Sequence, residues 1–407
     1  MQSLARVLPV WEAPPAGDIS KLVYNDRLYP PDETVRRMWP YLLDLGITRL
    51  ARQTSLDRTG IPCWAAFRPN SLNLATAQGK GLTDAAACAS ALMEAVEIAV
   101  AERPGGTRRF SSARKLTKEG ALWFDPERLL PAGVSFDPSR GLEWTRGRDL
   151  ASAQPVWVPI DAVDMNSGHS DLPGICKASN GLASGNTELE ATFHALCELI
   201  ERDGSAHWSF VDDDAALDMA FDPSGLRDPE VDRLCRQVEA AGLRLTLFDQ
   251  TTDLEIPVVM AVVGPASGEP RELEIAAGYG AHPSPVRATL RAITEAAQSR
   301  TTSVASSRDD IASATFGAPA SLIARRLLWA TPRRKAPTGL PIGTSLSLLF
   351  EFLLSGLKSA GCGAVVVSIT QQHLPCAVVK VLSSDLEDRG ANLNWRPGWR
   401  CRKVVNQ

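Results

Sequence analysis

Apolar residues recur at helical spacing in three long stretches of the chain. From Ala85 to Val100, alanines and long apolar side chains alternate with acids until Pro104-Gly105-Gly106 stops the pattern, which predicts a well-bounded helix. A second stretch follows Thr187 to about Phe210, and a third follows Ser284 to about Ser303. Shorter helices are predicted from Asp32 to Gly46, with the glycine as C-cap, from Val231 to Ala241 and from Ser345 to Ala360.

Short β-like runs lie between them. Ile47 to Ala51 and Pro62 to Phe67 flank a turn at Asp57-Arg58-Thr59-Gly60 and read as a hairpin or neighbouring strands. Further strands are predicted at Pro155 to Ile160, Leu243 to Asp249, Pro257 to Val263, Ala364 to Ile369 and Cys376 to Leu382. Residues 107–178 mix turns with one strand and read as an insertion, and 306–340 are polar and broken. Strands and helices do not alternate regularly, so the expected class is α+β, a mixed α/β fold. The expected division is an irregular segment 1–30, a main domain 31–385 and a tail 386–407.

The three long helices share more than periodicity. Each follows a glycine-containing turn and a hydroxyl residue: GKGLTDAAACASALMEAVE (79–97), GLASGNTELEATFHALCELIE (181–201) and GYGAHPSPVRATLRAITEAAQ (278–298). A glutamate stands eleven residues after each hydroxyl, Thr83 to Glu94, Thr187 to Glu198 and Ser284 to Glu295, about three helical turns on. The hydroxyls read as N-caps, with Thr187 and Glu190 forming a capping box and Pro285 opening the third helix.

Glu94 with Glu97, and Glu198 with Glu201, are carboxylate pairs three residues apart on one helix face. Alone, such a pair costs about 0.2–0.5 kcal/mol. A divalent cation reverses the sign, because hard ions such as magnesium take carboxylate and phosphate oxygens together. Solvated E-x-x-E pairs are common, but these sit in apolar flanks, which points to a shared acidic site. Arg202, Arg291 and Arg300 are placed to clamp phosphate oxygens, with Arg291 one turn before Glu295. The glycine-rich turns can offer backbone N–H groups to phosphate, yet no G-x-x-x-x-G-K-[ST] occurs. Arg308-Asp309-Asp310 lacks the other elements of a kinase catalytic loop. His169, His194, His207, His282 and His373 show no metal spacing, and His194 reads as structural.

Composition narrows the class. Of 407 residues 44% are hydrophobic and 22% charged, ordinary for a globular protein, and a net charge of −4 gives no pull toward nucleic acid or an anionic membrane. The basic cluster Arg325, Arg326, Arg333, Arg334 and Lys335 reads as a solvated face. No apolar run suits a signal peptide or a membrane span, so a cytoplasmic protein is expected. Eight cysteines without a C-x-x-C pair suit buried free thiols.

These runs, with Ser55-Leu56-Asp57-Arg58-Thr59-Gly60-Ile61-Pro62, resemble the YcaO family over roughly residues 30–385. The resemblance implies a fold of three repeated glycine-turn/acidic-helix units around a nucleotide site, with ATP and Mg2+ as cofactors. Carried onto matching positions, Glu94, Glu97, Glu198 and Glu201 are metal ligands, and Arg37, Ser184, Asn186, Glu190, Arg202, Arg291 and Glu295 line the nucleotide. Arg202 and Arg291 are the expected catalytic residues. Gln298 departs from the carboxylate pattern, so the third helix is expected to meet nucleotide rather than metal. Family chemistry is phosphorylation of a peptide-backbone amide, followed by thioamide formation with external sulfide or by azoline formation from a Cys, Ser or Thr side chain. Azoline-forming members resemble one another in a proline-rich C-terminus, whereas this chain ends RPGWRCRKVVNQ. The expectation is therefore the thioamide type with a TfuA-like or leader-binding partner, as a homodimer. A non-catalytic nucleotide- or peptide-binding scaffold is the alternative of another class.

Overall fold

A computed structural model describes residues 23–131, 133–166, 168, 170–305, 317–389 and 395–405. Helix α1 (Pro31–Met38) leads to strands β1 (Arg49–Arg52), β2 (Cys63–Phe67) and β3 (Thr76–Lys80), then helix α2 (Asp84–Ala101). Strand β4 (Arg108–Ser112), helix α3 (Ala113–Lys118) and strands β5 (Leu122–Trp123), β6 (Gly141–Asp149), β7 (Pro155–Pro159) and β8 (Leu182–Gly185) precede helix α4 (Glu188–Trp208). Next come α5 (Asp213–Asp218), β9 (Ala220–Phe221), α6 (Pro229–Ala240), β10 (Leu243–Asp249), β11 (Val258–Pro265), β12 (Ala276–Ala281) and α7 (Pro285–Ala305). The chain closes with α8 (Leu322–Leu328), α9 (Leu346–Ser359), β13 (Val365–Ser368), β14 (Ala377–Leu382) and α10 (Trp399–Val405).

The strands form three sheets, in the orders β1-β2-β3, β12-β11-β10-β9 and β5-β7-β6-β13-β14-β8, with β4 also pairing β6 in the last. Pairing is antiparallel except between β5 and β7. This is the expected α+β class. Segment 107–178 supplies β4 to β7, four of the seven strands in the largest sheet.

Helix α2 packs between the three-stranded sheet and one face of the seven-stranded sheet, where Leu92 and Val96 meet Val367 and Val378. On the opposite face α4 and α9 pack through Phe193, Leu196, Leu349 and Leu353 against Val366 and Val379. Helices α6 and α7 cover the four-stranded sheet through Leu234 and Ile293. At about 1.5–3 kcal/mol for each fully buried aliphatic side chain, these interfaces position the three long helices.

The structure corrects the sequence reading in particular places. The helix expected from Asp32 to Gly46 ends at Met38 and continues as a 3-10 turn over Trp39–Tyr41, because the Pro40 ring conflicts with the carbonyl four residues back. Helix α8 lies in the stretch read as broken. The glycine-containing turns are the strands β3, β8 and β12. A Cβ on Gly79 would stand 2.1 Å from Ala91 N, and one on Gly278 would stand 2.1 Å from Ala296 N. Each glycine therefore lets a strand lie directly on the backbone of the helix that follows it.

Thr83 and Thr187 cap α2 and α4, accepting from Ala86 N–H and Glu190 N–H at 3.2 Å, a contact worth about 1 kcal/mol each. The Glu190 carboxylate bonds the Asn186 N–H at 2.8 Å, one residue upstream of a standard capping box. Ser284 does not cap with its side chain. Its hydroxyl is buried without a partner among the described residues, while its N–H donates to His282 Nδ1 at 2.8 Å.

The basic cluster is a paired surface: Arg325 meets Glu269, Arg326 meets Asp214 and Arg333 meets Asp218. Six of the eight cysteines, Cys63, Cys88, Cys197, Cys362, Cys376 and Cys401, are buried. Among the described residues no helix is long and apolar enough to cross a membrane. His169 and Arg308-Asp309-Asp310 lie outside the described residues.

Candidate nucleotide and metal site

The third turns of α2, α4 and α7 bring five glutamates into one electrostatic cluster. Each glycine strand supports its own helix and also touches another: Lys80 of β3 reaches Glu295 of α7 at 2.5 Å, and Ser184 of β8 reaches Glu97 of α2. Lys80 and Ser184 hold equivalent places, each three residues before the threonine cap. Tyr279 of β12 lines a cavity with Arg202 of α4.

The acids lie deep but keep access to solvent. Glu295 retains 19% and Glu198 25% of side-chain exposure, whereas Glu201 keeps 3%, as expected at the floor of a cleft. Burial pushes Glu94 up to about 7, with Lys80 opposing and Glu198 and Glu295 adding to the rise. Burial pushes Glu97 up to about 8, against two hydrogen bonds from Ser184 and with Glu94 and Glu198 adding. Glu198 and Glu201 are also raised, by burial first. Glu295 goes the other way. Burial opposes its charge, but Lys80, Arg202 and Arg291 hold it below the usual carboxylate range.

The cations stand around this floor. Arg202 lies 3.7 Å from both Glu198 and Glu201. Burial works against its charge, yet Glu201, Glu198 and Glu295 hold it above the ordinary arginine range. Arg291 is likewise raised despite burial, through Glu201 and Glu295, and its Nε has no partner among the described residues. Asn186 and Glu190 bond each other at the start of α4, where Thr34 of α1 donates to Asn186 Oδ1 at 3.3 Å. Arg37 lies one turn beyond Thr34 with its guanidinium 4.4 Å from the centre of the Tyr29 ring, and its Nε has no partner among the described residues.

Arg300 is not a phosphate clamp. It binds Asp57 at 3.0–3.3 Å and the Glu274 carbonyl at 3.0 Å, so it is committed to holding the Asp57 turn on α7. His194 is buried, and burial followed by Arg27 and Arg291 holds it well below the usual histidine range. It is neutral at pH 7.

Residues 78–387 match the model of the YcaO cyclodehydratase family, described as binding ATP and Mg2+. The chain belongs to the YcaO family. An uncharacterized protein in the tfuA 3′ region of Rhizobium leguminosarum bv. trifolii is 39% identical over 304 residues, 72% of each chain. The YcaO protein of Methanopyrus kandleri, solved bound with AMPPCP and Mg2+, shares the fold at TM-score 0.70 and 24% identity, covering 93% of this chain and 98% of that one. A heterocyclase solved in complex with substrate and cofactor gives TM-score 0.71 at 24% identity over 89% of this chain. The present chain spans about half of that protein, 53% of its length.

As a YcaO member the protein takes ATP and Mg2+ as cofactors, and the acidic floor fits them. All the candidate donors are hard oxygens, and carboxylates held together in a poorly solvated cleft need protons or cations for neutrality. Among the described residues, no three His, Cys, Asp or Glu side chains form a ready metal cage. The carboxylates are turned instead toward Ser184, Gly181, Lys80 and Arg202.

Three residues near the site escaped sequence reasoning. Arg27, in the segment read as irregular, donates to the Ser184 carbonyl at 2.7 Å and lies 3.9 Å from Glu190. Lys80 was visible only as part of a glycine turn. Lys380 of β14 is buried, with Glu198 as the first charge to favour its cation. Two signals were available: a strand-like spacing around Lys80, hidden by the neighbouring glycines, and a lysine interrupting the apolar run Cys376 to Leu382.

Proposed function

We propose that this protein uses ATP and Mg2+ to phosphorylate a backbone amide oxygen in a ribosomally made peptide or protein, and that external sulfide then replaces the phosphate to give a thioamide. The observation that carries the amide-activating reading is the ring of Glu94, Glu97, Glu198, Glu201 and Glu295 on three helices with Arg202 and Arg291 among them. Bound ATP supplies a phosphoryl group that converts the amide oxygen into a good leaving group.

The chain's own residues do the holding. Glu94, Glu97, Glu198 and Glu201 offer the oxygens for magnesium, while Asn186, Glu190, Glu295, Arg37 and Arg27 border the nucleotide. Arg202 and Arg291 are fixed positive charges near the transferring group, and fixed charge in a poorly solvated cleft stabilises phosphoryl transfer without reorganisation. Replacement of amide oxygen by sulfur balances as amide, ATP and hydrosulfide giving thioamide, ADP and phosphate.

The relative from the tfuA region supports the thioamide product and a TfuA-like partner. Likeness to a heterocyclase supports the second reading, an azoline-forming cyclodehydratase with a leader-binding partner. Mass spectrometry of a candidate peptide incubated with the protein, its partner, ATP and sulfide tests both. Exchange of oxygen for sulfur is the expected result, loss of water selects the cyclodehydratase, and an unmodified peptide without ATP turnover returns the scaffold reading.

A further inference from the structure

A lysine stands where the pattern of β14 asks for an apolar residue. Val378 and Leu382 face the α2 side of the seven-stranded sheet, and the two-residue alternation of a strand puts Lys380 between them on that face. It is 4% exposed. Burying an ammonium is costly unless it is bonded, and burial pushes Lys380 down to about 8. Something must repay its place in the core.

The partners show what it does. Lys380 Nζ donates to the Ala178 carbonyl at 2.5 Å and the Asn180 carbonyl at 2.8 Å, which flank the turn into β8. Gly181 follows at φ +74°. Its carbonyl accepts from Val381 N–H at 2.7 Å, and its own N–H donates to Glu198 Oε2 at 3.2 Å. A Cβ there would stand 2.3 Å from the Val381 carbonyl, so the turn lies flat on β14. From the outer side the Asn180 amide donates to Asp388. The turn is thus gripped by Lys380, Val381 and Asp388, and the peptide group it presents is the one bonded to Glu198.

We propose that Lys380 is a positioning residue for the second glutamate pair, holding the 178–181 turn so that Gly181 N–H orients the Glu198 carboxylate toward a bound cation. This rests on Glu198 being a magnesium ligand. Among the described residues Lys380 Nζ bonds the Ala178 and Asn180 carbonyls rather than a carboxylate, so it acts on Glu198 through the turn. Its loss therefore weakens the response to the cation rather than the binding of nucleotide once the cation saturates.

Calorimetric titration of AMPPCP into the protein at a series of Mg2+ concentrations reads this directly, with direct Mn2+ binding by electron paramagnetic resonance as a readout independent of turnover. In Lys380→Met the half-saturating Mg2+ concentration should rise about tenfold, the usual scale for losing a group that orients a metal ligand. Affinity at saturating Mg2+ should return to that of the parent, and Lys380→Arg should recover part of the shift. An unchanged Mg2+ dependence in folded Lys380→Met overturns the proposal. Asp388→Ala loosens the same turn from outside the core and must move the Mg2+ dependence the same way even where Lys380→Met fails to fold; no shift there also overturns it. Glu198→Gln separates the two claims. Intact Mg2+ dependence in that variant defeats the metal assignment itself, whereas its loss beside an unaffected Lys380→Met defeats only the positioning role.

Discussion

Glu97 on α2 and Ser184 on β8 are 87 residues apart in sequence, yet Glu97 Oε1 accepts both the Ser184 N–H at 2.7 Å and the Ser184 hydroxyl at 2.6 Å. This pair of bonds joins the first repeat to the second at the acidic floor. Ser184→Ala removes the hydroxyl and keeps the N–H. A hydrogen bond to a charged group contributes about 1.5 kcal/mol at the low end, so Mg2+-dependent nucleotide affinity should fall about tenfold. Calorimetry measures the loss, and an unchanged affinity would show that this bond does not shape the site.

The close approach of β12 to α7 makes a second prediction. A Cβ on Gly278 would meet Ala296 N at 2.1 Å and the Ala292 carbonyl at 2.3 Å, both backbone atoms that cannot swing aside. Gly278→Ala should therefore destabilise the protein by about 3 kcal/mol, the upper end of ordinary overpacking costs. Urea unfolding checks it. A midpoint equal to that of the parent would mean that strand and helix can separate without cost.

Asp26 ties residues beside Arg27 to the start of α7. Its Oδ2 accepts from Arg287 Nε at 3.1 Å and Nη2 at 2.7 Å. Burial opposes its charge, but Arg287 and then His282 hold its pKa well below the usual carboxylate range. A carboxylate depressed in the folded state contributes stability that is present above its unfolded pKa, about 3.9, and is lost as pH falls toward the folded value. Asp26→Asn should thus cost about 1.5–3 kcal/mol at neutral pH. Thermal melts should show the gap from the parent narrowing below about pH 4; a gap independent of pH would contradict the linkage.

The parts legible in the sequence were those with local signals. The three acid-bearing helices begin at Asp84, Glu188 and Pro285, within a residue of the starts read from Ala85, Thr187 and Ser284, because helical periodicity and N-cap chemistry are encoded locally. The strands β3, β8 and β12 were read as turns, since their glycines lack apolar alternation and their conformation comes from pairing with β2, β14 and β11. Arg300 was misread because its partner Asp57 lies 243 residues away. Arg27 sits in a stretch without periodicity, and no local pattern reveals that its guanidinium reaches Ser184.

The central claim is that ATP is held through magnesium on the glutamates of α2 and α4. Titration calorimetry of ATP into the purified protein, with Mg2+ and then with a chelator, tests it most directly. The account predicts micromolar-range binding that requires Mg2+ and disappears in Glu198→Gln while the fold persists. Binding of equal strength with and without Mg2+, or unchanged in that variant, would contradict it.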